Sequence, residues 1–434
     1  MRCEANSGTH IASTKPLRPA QVVLRHVLRY SVAGVLLCGY FTAVAAAQQN
    51  LTLHQAVQQA LAASPAAHAS ADLVDAQRGV VRQAGLMPNP RLFLQSEDIR
   101  PWASNYSFTA NSEDYGYLSQ TIEVDGKRGK RVAYAKAGLA RAEAENSMRL
   151  RQISYRVASA YWSAAAASRA AALWKAQVDD FDTILRYHRE RVSAGAMAGV
   201  DLLRMQVEHD RVMLEYQNAL RMAEQARIAL GREMGAPLAP ETTLSDEIDV
   251  KRDIAPLPID SVLEQRPDVM AARDAVDEAQ ANERVQRAIA VPDPDLLGGY
   301  KRNLSDNTIF AGLQIPLPFF NRNQGEVARA QSQVRYAQDT LAQVRLVARA
   351  EVETAQAAYQ REQQTVATTL PEMREHARQN AAIISDAYAS GGTDLLRYLD
   401  AKRTSIDTQL LALQTMAAYQ QAAVQLELLY GAQL

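Results

Sequence analysis

The sequence predicts a mostly α-helical fold with a small β part, built as an internal tandem duplication. Three observations predict it. Long tracts rich in Ala, Gln, Arg and Glu run without Pro or Gly, a composition of long helices packed side by side. Two pairs of short segments alternate apolar and polar residues. A set of local motifs also occurs twice, in one order, at offsets of 193 to 204 residues.

The N-terminus reads differently from the rest of the 434-residue chain. Arg18, Arg25 and Arg29 precede an apolar run from Tyr30 to Val44, and Ala45, Ala46 and Ala47 follow. A basic stretch, a short apolar run and small residues describe a secretory signal peptide over 1–47. The run is shorter than the ~20 apolar residues that span a bilayer, which argues against a membrane anchor. Cys38 follows Leu37, where a lipoprotein cleavage site calls for a small residue, so lipidation is not expected. Cleavage removes both cysteines, Cys3 and Cys38, leaving no disulfide and no thiolate metal site. It also removes five basic residues and one acidic, leaving 42 against 47 and a net charge of −5. That balance gives a nucleic-acid partner no electrostatic support.

The remainder divides into two repeats, 48–250 and 251–434. Each reads helix, P-x-P, strand, strand, very long helix, Gly turn, helix. Ser64-Pro65 matches Arg266-Pro267 inside the first helix of each repeat. Met87-Pro88-Asn89-Pro90 matches Val291-Pro292-Asp293-Pro294, and Leu118-Ser119-Gln120 matches Leu313-Gln314-Ile315. Gly199-Val200-Asp201-Leu202-Leu203-Arg204 matches Gly392-Thr393-Asp394-Leu395-Leu396-Arg397, each after a small-residue turn.

The strands are expected at Leu92 to Glu97, Tyr115 to Val124, Leu296 to Lys301 and Thr308 to Ile315. In the last, Ile309, Ala311, Leu313 and Ile315 alternate with Thr308, Phe310, Gly312 and Gln314. Phe93, Phe108, Phe310, Phe319 and Phe320 lie in or beside these segments, as do Trp102, Tyr106, Tyr115, Tyr117 and Tyr300. Alternating strands with aromatics near their ends suit a lipid-facing barrel and its girdle. The same alternation equally suits two hairpins packed on helices in a soluble protein. Four strands cannot close a barrel, since the smallest have about eight, so a membrane role requires several copies.

The long helices are expected over 126–190 and 323–389, each roughly 95–100 Å at 1.5 Å per residue. Pro371 should kink the second or mark a join. In the final helix Leu396, Arg403, Leu410, Ala417 and Val424 recur every seven residues, with Leu399, Ile406 and Leu413 between them. That is a coiled-coil seam and calls for a partner helix.

The chain resembles the TolC family of outer-membrane efflux proteins across the whole mature sequence, and within it the CzcC-like branch of heavy-metal efflux components. The resemblance rests on Leu51-Thr52-Leu53, on the run from Gln83 to Pro90, and on Asp125-Gly126-Lys127-Arg128-Gly129-Lys130. It also rests on Glu264-Gln265-Arg266-Pro267-Asp268-Val269 and above all on the run from Ile315 to Gly325. It implies a homotrimer with a twelve-stranded barrel in the outer membrane of a Gram-negative bacterium, in contact with its lipid. It further implies a helical barrel crossing the periplasm. Such ducts receive cargo from an inner-membrane RND-type pump through a periplasmic adaptor, the membrane fusion protein. The turns that would meet the adaptor carry Gly195, Asp201, Gly391, Gly392 and Asp394. Family members often close this tip with two acids three residues apart, followed by Ala. Here Asp400 matches the second acid, while Arg397 stands in place of the first, so the pair is expected to line the closed tip through ion pairs between protomers. Asp201 and Asp394 are expected as helix-start residues.

No catalytic constellation, cofactor site or metal site is expected. The run from Gly126 to Lys130 lacks a full phosphate-loop pattern. His54, His68, His188, His209 and His376 are scattered without ligand spacing. Met197 and Met205 are expected to pack. The expected function is a passive exit duct for heavy-metal cations. The alternatives are a duct for organic compounds or secreted polypeptide and, in another class, a periplasmic coiled-coil adaptor.

Overall fold

The computed structural model describes residues 50–304 and 306–432. The expected signal peptide, with Cys3 and Cys38, lies outside the described residues. The chain is mostly helical with one four-stranded sheet and a two-residue strand pair.

The first half runs β1 (Asn50–Leu51), α1 (Leu53–Ala63), α2 (Pro65–Ala84), β2 (Arg91–Glu97), a short α3 (Phe108–Asn111), β3 (Glu113–Thr121), α4 (Lys127–Ser193) and α5 (Gly199–Met234). After β4 (Thr243–Leu244), the second half runs α6 (Ile259–Gln265), α7 (Pro267–Ile289), β5 (Asp295–Asn303), β6 (Asp306–Gln314), α8 (Gln324–Gln364), α9 (Leu370–Ala389) and α10 (Leu395–Leu429). Thr52 caps α1 through a reciprocal box with Gln55.

Ser64-Pro65 and Arg266-Pro267 do not lie inside helices, as the sequence suggested. Each proline opens a new helix, and the residue before it is extended, with ψ of 122° at Ser64 and 130° at Arg266. Proline disfavours helical backbone in the preceding residue, yet its own fixed φ suits the first helical position.

Helix α4 is unbroken for 67 residues, about 100 Å at 1.5 Å per residue. Its counterpart is not. Residues Thr365–Thr369 form a π-helical turn between α8 and α9, one residue short of Pro371. Proline cannot donate the usual bond and its ring crowds the carbonyl four residues back, so widening the turn accommodates it.

The sheet has the order β2-β3-β5-β6, all antiparallel. The two expected strand pairs are thus joined through β3 and β5. Strand β3 ends before Val124, because the Val124 amide donates to the Asp293 carboxylate at 2.9 Å instead of extending the ladder. Register divides the two faces. Leu92 opposes Leu118, Leu296 opposes Leu313 and Tyr300 opposes Ile309, so these share one face with Leu94. All seven are exposed, Ile309 by 88% and Leu94 by 76%. The other face carries Arg91, Glu113, Asp295 and Lys301. Phe93, Tyr117 and Phe310 also lie there, stacked at 4.8 Å and edge-on at 5.7 Å. Those three aromatics therefore do not belong to the girdle the sequence suggested; Trp102 and Phe108, in the β2–β3 connection, stay exposed.

The main core surrounds Tyr161, Trp162, Tyr359, Tyr419 and Leu426. Across it passes the segment between β4 and α6, held by tyrosine hydroxyls. Tyr359 and Tyr419 each donate to the Arg252 carbonyl at 2.7 Å, and Tyr161 receives the Asp246 amide at 3.2 Å. Gln420, fully buried, donates to the carbonyls of Ile248 and Val250. A connection without secondary structure of its own thus has its backbone satisfied by side chains.

Candidate functional site at the hairpin tips

A second core lies toward the turns and contains Trp174, Phe181, Leu185, Met205, Val212, Leu395, Tyr398 and Ile406. It brings α4, α5 and α10 together, with Tyr388 of α9 packed against it. Met205 is fully buried there, a packing residue as expected.

Both hairpins turn by the same mechanism. Gly195 and Gly391 have φ of 72° and 78°, a left-handed conformation that costs glycine nothing. The amide of Ala196 bonds to the Arg191 carbonyl and that of Gly195 to Val192. In the second turn Gly392 bonds to Ala387 and Gly391 to Tyr388. These paired bonds satisfy the last carbonyls of each helix. The helices that follow start differently. Asp394 is the N-cap of α10 and its carboxylate accepts from the Arg397 amide at 2.9 Å. Asp201 sits inside the first turn of α5, whose N-cap is Ala198. There its charge favours the helix N-terminus without capping it.

Arg397 and Asp400 occupy the first two turns of α10, and both side chains are exposed. Neither makes an ion pair among the described residues of the protomer. The seam expected from heptad spacing shifts near the tip. Leu395, Tyr398 and Ala401 are buried, whereas Leu396 is 70% exposed and Arg403 points to α5.

Near the turns, polar ties at three points join the first hairpin to the second, and the sequence did not single out any of them. His188 of α4 is fully buried. Its Nδ1 lies 2.8 Å from the Ile184 carbonyl, which can only accept, so Nδ1 carries the proton. Its Nε2 then accepts from the Tyr388 hydroxyl of α9 at 2.6 Å. Tyr388 stacks in turn on Tyr398 of α10, with centroids 4.7 Å apart. Burial pushes the Tyr388 hydroxyl above its ordinary pKa, and the negative charge of Asp201 adds to this.

The second tie is Lys402 of α10 with Asp180 of α4, at 2.6 Å. Burial disfavours the ammonium, but the hydrogen bond to Asp180 and the nearby Tyr398 outweigh it and raise the Lys402 pKa. The third is Glu208 of α5 with Arg403 of α10, at 2.9 Å. Burial pushes the Glu208 carboxyl upward, yet hydrogen bonds from Arg211 and Arg403 prevail and hold it below the usual carboxylate range. A residue-by-residue scan cannot find such ties. Histidine, tyrosine and lysine on different helices gain meaning only when packing aligns them.

Chemically the tip can hold helices together or let them part. Among the described residues, no group of three His, Cys, Asp or Glu side chains is arranged to hold a metal ion. No described helix is long and apolar enough to cross a membrane.

Comparison with known proteins adds four findings. The family described as outer membrane efflux protein matches residues 56–236 and 259–432. The cobalt-zinc-cadmium resistance protein CzcC of Cupriavidus metallidurans is 29% identical over 391 residues, covering 88% of this chain and 90% of that protein. The nickel and cobalt resistance protein CnrC of the same organism is 26% identical over 296 residues, 67% of this chain and 69% of that one. Among solved structures, CusC superposes with a TM-score of 0.75 at 18% identity, covering 88% of this chain and 92% of that one.

Proposed function

The chain belongs to the outer membrane efflux protein family, and from that premise we propose that it is the homotrimeric exit duct of a heavy-metal efflux system. In this reading three copies close their sheets into one barrel of twelve strands in the outer membrane of a Gram-negative bacterium. The helices extend into the periplasm. There the turns at Gly195, Asp201, Gly391, Gly392 and Asp394 meet a periplasmic adaptor, which connects the duct to an inner-membrane RND-type pump. The two halves of the chain, 48–250 and 251–434, descend from a duplicated unit.

The observation that carries the reading is the exposed apolar face of the sheet. Leu92, Leu94, Leu118, Leu296, Ile309 and Leu313 share that face and are exposed, with no cover among the described residues. An apolar face of this size needs lipid or protein against it. Strands β2 and β6 each leave one edge unpaired, and unpaired edges are tolerated in lipid only when a barrel closes. Three copies remove both edges and give the even strand number of such barrels. The polar face then lines the channel.

The cargo reading is supported by the relatives, which are cobalt-zinc-cadmium and nickel-cobalt resistance proteins. The chain acts as a passive conduit, with selection made upstream. Deletion of the chain, followed by challenge with cobalt, zinc and cadmium salts and a panel of organic toxicants, tests this. Sensitivity to the metal salts, reversed on complementation, is expected. Sensitivity confined to the organic compounds would replace the metal reading with a duct for organic cargo.

A further inference from the structure

We propose that Phe319 and Phe320 of one copy seat in the cavity beside β2 of the next copy, forming the joint that closes the ring. The proposal rests on the ring of copies proposed above and names the contact that holds it.

The cavity, about 1070 Å³, lies where the chain passes between helix and sheet, and Leu86, Met87, Pro88, Pro90 and Ile122 supply its apolar lining. Met87 is 69% exposed, so the lining is uncovered in the protomer. It belongs to the segment that enters β2, one edge of the sheet. Phe319 and Phe320 belong to the segment that leaves β6, the other edge. They are 69% and 92% exposed, and Phe320 is the most exposed large apolar side chain among the described residues. Closing β6 of one copy against β2 of the next brings these two segments side by side at the helical end of the barrel.

The protomer contains an internal template for this joint. At the centre of its sheet, the segment leaving β3 meets the P-x-P segment entering β5. There the Ile122 amide donates to the Pro294 carbonyl at 2.9 Å. The Val124 amide donates to Asp293, and Lys127 pairs with the same carboxylate at 2.7 Å. In the repeat, Asn89 occupies the place of Asp293, and Gln324, the first residue of α8, that of Lys127. A joint between copies built on the same plan therefore loses its ion pair. It gains length instead. The link from β6 to α8 spans nine residues, 315–323, against five, 122–126, from β3 to α4. The longer link carries the two phenylalanines. Apolar insertion thus replaces, between copies, the charge pair that fastens the joint within one copy.

Cysteine occurs only at positions 3 and 38, inside the expected signal peptide, so the joint is testable by cross-linking. The double variant Met87→Cys with Phe320→Cys, oxidised in outer membranes, should run on non-reducing gels as dimers and trimers, while each single variant runs as one chain. Phe319→Cys with Met87→Cys provides a second pair. A native trimer with no cross-link from either pair would overturn the joint and leave the ring standing. Cross-linking within one chain would overturn it likewise. A protein that remains monomeric in membranes would overturn both. In a Trp102→Phe background, a Phe320→Trp variant should resist quenching by brominated phospholipid; strong quenching would make lipid the occupant and refute the contact between copies.

Discussion

The Tyr388 hydroxyl donates to Nε2 of the fully buried His188 at 2.6 Å, across the boundary between the two hairpins. Replacing Tyr388 by Phe removes the donor and leaves a buried ring nitrogen without a partner, a cost of ~1–3 kcal/mol. If the tip is a gate, that cost falls on the closed state. Purified Tyr388→Phe channels in a planar bilayer should be open more often than wild type. Equal open times would remove this tie from the gate.

The tie between Glu208 and Arg403 predicts an acid response. Glu208 titrates below the ordinary carboxylate range in the folded tip. Its contribution is therefore complete above the unfolded value of ~4.3 and is lost as pH falls through the lowered folded value. Wild-type conductance should be flat between about pH 5 and 8 and rise only below that ordinary value. In Glu208→Gln the acid rise should vanish and conductance at neutral pH should increase. An unchanged acid rise in that variant would show that another group opens the tip.

The two faces of the sheet predict opposite tolerance to charge. Ile309→Arg places a cation on the apolar face, at ~2–4 kcal/mol near the middle of a bilayer. Thr308→Arg, one residue earlier, places the same charge on the polar face. Outer-membrane fractionation should recover Thr308→Arg at wild-type levels and little Ile309→Arg. Equal recovery would contradict a lipid-facing surface.

Arg397 and Asp400 are exposed and make no ion pair among the described residues, an arrangement that suits ion pairs between protomers worth up to ~1 kcal/mol each. Arg397→Ala and Asp400→Ala should each raise conductance modestly, and high salt should reduce the difference from wild type. Wild-type conductance in both variants would confine these residues to solvating the helix.

The parts legible in the sequence were those written in local periodicity. Period-two alternation placed Ile309, Leu313 and their neighbours, and a long proline-free run of helix formers marked α4. Gly195 and Gly391 marked the turns, because a left-handed residue is a local requirement. Illegible parts depended on partners distant in sequence. Phe93, Tyr117 and Phe310 satisfied the girdle pattern by position, yet strand register put them together on the polar face. Leu396 fitted a heptad, but the helix turned Leu395 and Tyr398 inward, where the α4 aromatics Trp174 and Phe181 join the same core. The tyrosines that hold the segment around Arg252 carry no motif at all; their role is to satisfy backbone over 100 residues away in sequence.

Further to the reading as an exit duct, we propose that the ties between hairpins hold the assembled channel shut at its helical tip. Single-channel conductance of the purified protein tests it most directly, comparing wild type with the triple variant Tyr388→Phe, Lys402→Met and Glu208→Gln, which disrupts the three ties near the turns. Discrete steps are predicted from both, rare and brief in wild type and long-lived in the triple variant. Membranes that stay silent with both proteins, each recovered as a folded trimer, would contradict it.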